Sequence, residues 1–120
     1  MKKHFTQMTP DEIRFFIAEV RSRQLTFLPH AFDRMRQKDI REVQILASIS
    51  YCSIVEVHND VPGEIRVLVR GKVRGDFVCT VVSLTNNQVV TCYWNKAGDH
   101  HQTLDKSAYT WQDSLVGMKG

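Results

Sequence analysis

The chain has 120 residues, of which 42% are hydrophobic and 24% charged, and its formal net charge is +3. This length suffices for one hydrophobic core, and the composition is that of a soluble globular protein. The modest charge alone does not indicate a nucleic-acid partner, and no apolar run is long enough to span a membrane. We expect a single domain over residues 1–120, with its core at about 9–111 and short flexible termini.

The first residues are not followed by a signal-peptide core, so the expected location is the cytoplasm, without membrane association. The three cysteines, Cys52, Cys79 and Cys92, are odd in number and lie in apolar runs, which predicts reduced thiols. The chain has no C-x-x-C pair, and the adjacent His100 and His101 lack a further ligand at helical or strand spacing. We expect neither a metal nor another cofactor.

The first predicted helix begins after Thr9, which caps it, and Glu12 completes a capping box three residues later. An apolar stripe with helical spacing follows, and the helix is predicted to end near Gln24. Residues 25–28 are predicted to form an extended link, because Pro29 disfavours helical geometry in the residue before it.

A short second helix is predicted over residues 30–38, and Asp39 is predicted to cap a third helix that ends near Ser50. The second helix carries a ridge of three basic side chains at i, i+4 and i+8: His30, Arg34 and Lys38. A titratable imidazole beside fixed cations suits a site that binds phosphate and moves a proton. A solvated helix face has the same pattern, so this alternative stays open.

From Cys52 onward the hydrophobic period changes to two, which predicts four strands. They are Ser53–His58, Glu64–Arg70, Phe77–Leu84 and Gln88–Trp94. Short turns between them, one of them at 71–75, make consecutive strands antiparallel neighbours. The sequence therefore predicts an α+β fold in which two to three N-terminal helices pack on one face of a four-stranded antiparallel meander.

A tight hairpin at residues 86–87 would set Val82 opposite Thr91 and Thr80 opposite Tyr93 in the last two strands. The core face would then consist of Cys79, Val81, Val90, Cys92 and Trp94. With this register an open face carries four polar side chains: Arg66, Arg70, Thr91 and Tyr93. A slip of one residue would invert the arrangement, because side chains alternate between the two faces.

The segment His30-Ala31-x-x-Arg34-Met35-x-x-Lys38-x-Ile40 resembles the His-Ala-x-x-Arg-Met-x-x-Arg-x-Ile motif of a widespread family of small bacterial and phage domains. That family is described as a domain of unknown function and is allied to RelE/ParE-type toxins. Its last strand, Val-Val/Ile-Thr-x-Tyr, is matched by the segment from Val89 to Tyr93. Lys38 departs from the family's arginine, and this keeps the charge but loses bidentate geometry.

The resemblance implies a RelE-like fold and a metal-independent ribonuclease that cleaves RNA by attack of the ribose 2′-hydroxyl on the adjacent phosphate. It makes His30 the acid/base and Arg34 a phosphate-binding cation, with Thr91 and Tyr93 as hydrogen-bond donors. The implied substrate-binding residues are Lys38, Arg66, Arg70, His101 and Tyr109.

The partners that the resemblance implies are RNA and a cognate antitoxin or immunity protein, and the oligomeric state is left open. The alternative is a non-catalytic binding module of the same fold. Such a module would use the same cleft to bind a host protein or a nucleic acid, as a phage-encoded inhibitor would.

Overall fold

The structure is a computed structural model that describes residues 2–59 and 62–94. Within these ranges the chain forms an α+β fold with three α-helices and one mixed sheet of six strands. The helices are α1 (Pro10–Arg21), α2 (Pro29–Lys38) and α3 (Glu42–Ser50). The strands are β1 (Lys2–His4), β2 (Thr26–Phe27), β3 (Ser53–His58), β4 (Arg66–Val73), β5 (Asp76–Ser83) and β6 (Gln88–Trp94). No helix in the described ranges is long and apolar enough to cross a membrane.

The sheet order is β1-β3-β4-β5-β6-β2, so the predicted four-stranded meander is only the centre of a larger sheet. At one edge β1 pairs antiparallel with β3, with Lys3 opposite Val57. At the other edge β2 pairs parallel with β6, with Thr26 opposite Gln88. The four-stranded antiparallel prediction is therefore wrong. Both edge strands are too short to show a period of two, and distant parts of the chain supply their hydrogen bonds.

The first helix has the predicted beginning. The Glu12 N–H donates to Oγ1 of Thr9 at 3.2 Å, and Oε1 of Glu12 accepts from the Thr9 N–H at 3.0 Å. The helix ends at Arg21, earlier than predicted, and the side chain of this residue donates to the carbonyl oxygens of Ile49 and Cys52. These two bonds attach the end of α1 to the end of α3.

The predicted second helix is confirmed, but the predicted cap of the third helix is wrong. Asp39 has φ 54° and ψ 49°, a left-handed conformation that closes α2, and its N–H donates to the Arg36 carbonyl at 3.3 Å. The third helix follows Arg41, whose N–H donates to Oε1 of Gln44 at 2.8 Å. Aspartate is common at helix starts and also tolerates the left-handed region, so its position in the sequence does not distinguish the two roles.

The helices pack on the sheet face that carries Val67, Val69, Gly71 and Val73 of β4, which we name the helix face. Gly71 was expected in a turn, but it lies within β4, and the turn to β5 contains only Arg74 and Gly75. A Cβ atom on Gly71 would overlap the carbonyl oxygen of Ser48 and lie 2.8 Å from its Cβ. The absence of a side chain therefore lets the backbone of α3 lie directly on β4.

The predicted register between β5 and β6 is wrong over its whole length, and a turn of four residues, 84–87, replaces the predicted tight hairpin at 86–87. Val81 lies opposite Thr91 and Cys79 opposite Tyr93, whereas Val82 lies opposite Val89. The longer turn shifts the pairs beside it by two residues, and a bulge between Val81 and Val82 reduces the shift to one by setting an extra residue of β6 against β5. A shift of one residue exchanges the two faces of the strand. The predicted core face is therefore split, with Cys79 and Val81 on the face away from the helices.

Substitution of Gly71 by alanine should destabilise the fold by about 1–3 kcal/mol, because the new methyl group meets backbone atoms of Ser48 that cannot rotate away. Urea unfolding followed by circular dichroism measures the difference. The control is Lys72→Ala at the neighbouring exposed position, which should change stability by less than about 0.5 kcal/mol. Equal stability of Gly71→Ala and the unmodified protein would contradict this account of the α3–β4 packing.

Candidate functional site

Residues that lie opposite each other in an antiparallel sheet point to the same face, so the pairings define rows across the sheet. Three rows run across β3, β4, β5 and β6 on the side away from the helices, which we name the polar face. They are Ser53-Arg70-Cys79-Tyr93, Glu56-Leu68-Val81-Thr91 and His58-Arg66-Ser83-Gln88.

The polar face contains all four strand residues that the sequence predicted to lie together: Arg66, Arg70, Thr91 and Tyr93. They share this face despite the register error. The face is less open than expected, since Arg70 is only 2% exposed and its guanidinium carbon lies 4.5 Å from the ring centroid of Phe77. Thr91 and Tyr93 are half-buried. Among the four, Arg66 offers an accessible charge, with 39% of its side chain exposed.

A histidine–glutamate pair on the polar face was missed by the sequence analysis. Nε2 of His58 lies 2.6 Å from Oε2 of Glu56, so the ring N–H donates to the carboxylate. Glu56 is fully buried, while 18% of the His58 side chain is exposed. His4 of β1 lies opposite Glu56 and is also buried. The spacing of Glu56 and His58 at i and i+2 is the available signal, and the sequence analysis uses it only to predict the strand Ser53–His58.

A second carboxylate holds the accessible arginine of the polar face. Nε of Arg66 donates to Oε1 of Glu64 at 2.7 Å. This hydrogen bond from Arg66 is the main reason that the pKa of Glu64 lies below its usual value, while partial desolvation acts in the opposite direction. A guanidinium has five N–H donors, so one bond to Glu64 fixes its orientation and leaves others for a ligand.

The basic helix α2 runs alongside β6. Near its beginning the Leu28 N–H donates to the carbonyl of Val89 at 3.0 Å. Just after the end of the helix, Nη1 of Arg74 donates to the Asp39 carboxylate at 3.3 Å. The guanidinium of Arg74 lies 5.6 Å from the centroid of the Trp94 ring, near the end of β6. The helix therefore follows β6 from the start of the strand to its end.

The predicted ridge on α2 is available to solvent. His30 and Arg34 are exposed and Lys38 is half-buried. Within residues 2–59 and 62–94, none of the three makes a side-chain hydrogen bond or an ion pair, whereas Arg36 on another side of the same helix pairs with Asp33. The ridge thus keeps charges that local acidic groups do not neutralise.

The ridge and the polar face adjoin the same strand. Arg34 lies close enough to Cys92 to favour its thiolate, although burial dominates and raises the pKa of this thiol. Cys92 lies opposite Thr80 on the helix face, and Thr91 and Tyr93 on either side of it point to the polar face. The structure thus groups the three ridge residues together and the four strand residues together, and both groups border β6.

Two predicted substrate-binding residues, His101 and Tyr109, lie outside the described residues, as do His100 and the end of the predicted core. In the part of the chain that the structure describes, no three or more histidine, cysteine, aspartate or glutamate side chains are arranged to hold a metal ion. The candidate residues that the structure describes supply imidazole, carboxylate, guanidinium, ammonium and hydroxyl groups.

Residues 27–94 match the family model described as a domain of unknown function, DUF4258. The match covers more than half of the chain, so the protein belongs to this family. It includes both the α2 ridge and the polar-face residues of β3 to β6, and it leaves out β1 and α1. Comparisons with curated proteins and with solved structures gave no significant match. The expected kinship with a domain-of-unknown-function family is thus confirmed, and the link to RelE/ParE-type toxins stays a prediction.

The two buried thiols Cys52 and Cys92 should react slowly in the folded protein. Burial raises the pKa of both, and the nearby guanidiniums of Arg21 and Arg34 offset this only in part. Because the thiolate is the nucleophile, alkylation by iodoacetamide at mildly alkaline pH should be at least about 10-fold slower than in urea. Peptide mass spectrometry over time measures the rates, and equal rates in both conditions would contradict the burial of these thiols.

Proposed function

We propose that the protein is a metal-independent ribonuclease-like domain with a RelE-like fold, which acts in the cytoplasm and cleaves RNA by attack of the 2′-hydroxyl on the adjacent phosphate. The observation that carries the proposal is the cationic ridge of His30, Arg34 and Lys38, which follows β6 and makes no side-chain ion pair within the described residues. A cognate antitoxin or immunity protein is the proposed protein partner.

The ridge has the geometry to follow a nucleic-acid backbone. Residues four apart on a helix are about 6 Å apart along its axis, which is on the order of the spacing between successive phosphates of an extended strand. A guanidinium binds phosphate through parallel N–H bonds and an ammonium binds it as a point charge. Arg34 and Lys38 are therefore suited to bind successive phosphates of one strand.

The reaction also needs groups that the polar face supplies. A proton must leave the 2′-hydroxyl, and cations must stabilise the charge that develops on the phosphorus oxygens. Arg66 offers an accessible and oriented guanidinium, and Thr91 and Tyr93 offer half-buried hydroxyl groups. Arg66 on β4 and the hydroxyl groups on β6 are two strand spacings apart, roughly 10 Å, so one segment of RNA bound on the polar face can reach both.

A second candidate function is the non-catalytic binding module, which one observation favours. An apolar groove lies between α2 and α3, with Phe32, Met35 and Ile40 in its lining. On α3, close to this groove, Val43 and Leu46 are exposed as well. A cluster of exposed apolar side chains on a soluble domain is typical of a protein-binding surface. On this hypothesis the groove binds a host protein, and the ridge supports the complex electrostatically.

The test is incubation of the purified protein with total RNA in EDTA, with fragment ends analysed for 2′,3′-cyclic phosphate. We expect cleavage with cyclic ends. Arg34→Gln should lower kcat/KM by about 10-fold or more, because it removes a charge-assisted phosphate contact. The matched control is Arg36→Gln on the same helix, whose guanidinium is already paired with Asp33 and which should cleave like the unmodified protein.

Equal activity of Arg34→Gln and the control would remove the ridge from the proposed site. Absence of cleavage by the unmodified protein would overturn the ribonuclease proposal and favour the binding module. In that case Phe32→Asp should abolish capture of a protein partner, while Arg14→Gln, on α1 and outside the groove, should not.

A further inference from the structure

Two partly exposed side chains of the polar face, His58 and Arg66, are each hydrogen-bonded to a glutamate that is less exposed than they are. His58 is hydrogen-bonded to Glu56, which is fully buried, and Arg66 is hydrogen-bonded to Glu64, of which 17% is exposed. Glutamate is rarely buried completely, because removing a carboxylate from water is costly even when it is paired. Pairing with these carboxylates orients the His58 and Arg66 side chains. A buried ion pair often adds little to the stability of a fold, so stability alone does not explain why the chain has these pairs.

His58 and Arg66 are positioned to act on the same ligand. They lie directly opposite each other on β3 and β4, so their Cβ atoms are roughly 5 Å apart. Both are partly exposed, and the carboxylate partners restrain both. A phosphate that accepts hydrogen bonds from Arg66 therefore lies within reach of the His58 ring.

The hydrogen bond to Glu56 prepares His58 for proton transfer. It uses one ring nitrogen as a donor, and this fixes the tautomer and leaves the other nitrogen to accept a proton from a ligand. His30 has no comparable partner among the described residues and lies exposed on α2. The two histidines thus differ in a property that matters for catalysis, because only His58 is held in one orientation.

We propose, on the basis of the ribonuclease function proposed above, that His58 is the general base, that Arg66 is the phosphate-binding cation, and that Glu56 positions His58. His58 takes the proton of the 2′-hydroxyl while the 2′-oxygen forms a bond to phosphorus and the bond from phosphorus to the 5′-oxygen breaks. Solvent water protonates the leaving 5′-oxygen, and His58 returns its proton to solvent. The products are a 2′,3′-cyclic phosphate and a 5′-hydroxyl.

Charged and titratable groups face His58 from its own strand and from both neighbouring strands. Glu56 is hydrogen-bonded to it from the same strand, Arg66 lies opposite it on β4, and Glu64 is paired with Arg66. From β1, Lys2 lies opposite His58 and the buried His4 lies opposite Glu56. A pH profile that changes on replacement of Glu56 thus reports on this one cluster.

The first experiment compares RNA cleavage by His58→Asn, His30→Asn and the unmodified protein in EDTA, with folding checked by circular dichroism. We expect His58→Asn to lower kcat by about 10²–10⁴-fold with little change in KM. Added imidazole should restore part of the activity to His58→Ala. His30→Asn should instead raise KM, because His30 lies on the exposed phosphate-binding ridge.

The second experiment tests the two supporting residues. Glu56→Gln should lower kcat and alter the pH profile while KM is kept, whereas a role in stability alone would lower only the melting temperature. Arg66→Gln, at a partly exposed position that tolerates substitution, should lower kcat/KM by about 10-fold or more. Its matched control is Arg14→Gln, which removes an exposed arginine on α1 that pairs with Asp11 and should leave cleavage unchanged.

The outcomes separate the two proposals. Cleavage by folded His58→Asn at the rate of the unmodified protein would overturn the assignment of His58 and leave the ribonuclease proposal in place. If His58→Asn does not fold, unchanged activity of Arg66→Gln would overturn the assignment of this cluster. No cleavage by the unmodified protein would overturn both proposals.

Discussion

The close packing of α3 on β4 decides which side of the sheet becomes the core. Gly71 has no side chain, so the backbone at Ser48 lies against the strand, and β4 must turn the alternate residues Val67, Val69 and Val73 toward the helices. The residues that alternate with them, including Arg66 and Arg70, then point to the other face. Every neighbouring strand takes its orientation from its pairing with β4. The absence of a side chain at Gly71 thus fixes which residues of β4 point to the polar face.

The polar face is unusual because it is buried and yet carries charges. Glu56 and Arg70 are almost completely excluded from solvent, one hydrogen-bonded to His58 and the other stacked over Phe77. Hydrophobic residues of similar size are often at least as stabilising at buried positions, because charges lose hydration that pairing only partly replaces. The retention of such groups, with one end of the cluster partly exposed at His58, is the basis of the catalytic assignment proposed above. The region that matches the family contains this cluster and the α2 ridge alike.

The two surfaces explain why one fold permits both an enzyme and a binder. The ridge on α2 exposes cationic side chains, and the groove beside Phe32 is lined by apolar ones. In the functions proposed above, the ridge would hold a partner by charge and the groove by burial. Neither needs a proton-transfer group. The His58–Glu56 pair is the feature that binding alone does not require, since a buried carboxylate that orients an accessible imidazole adds little affinity. The fold itself does not distinguish these functions, because function depends on the residues placed on it.

The sequence by itself determined the features that depend on neighbouring residues. These are the capping box of Thr9 and Glu12, helix α2, the boundaries of β3 and β6, and the sharing of one face by Arg66 and Arg70. The tertiary structure alone decided what depends on distant parts of the chain. The edge strands β1 and β2 exist through their partners, the bulge at Val81 resets the register, and Asp39 ends a helix where it was expected to begin one. The burial of Glu56 belongs to this group as well, because it requires β1 and β4 to flank β3, and no local pattern encodes which strands become neighbours.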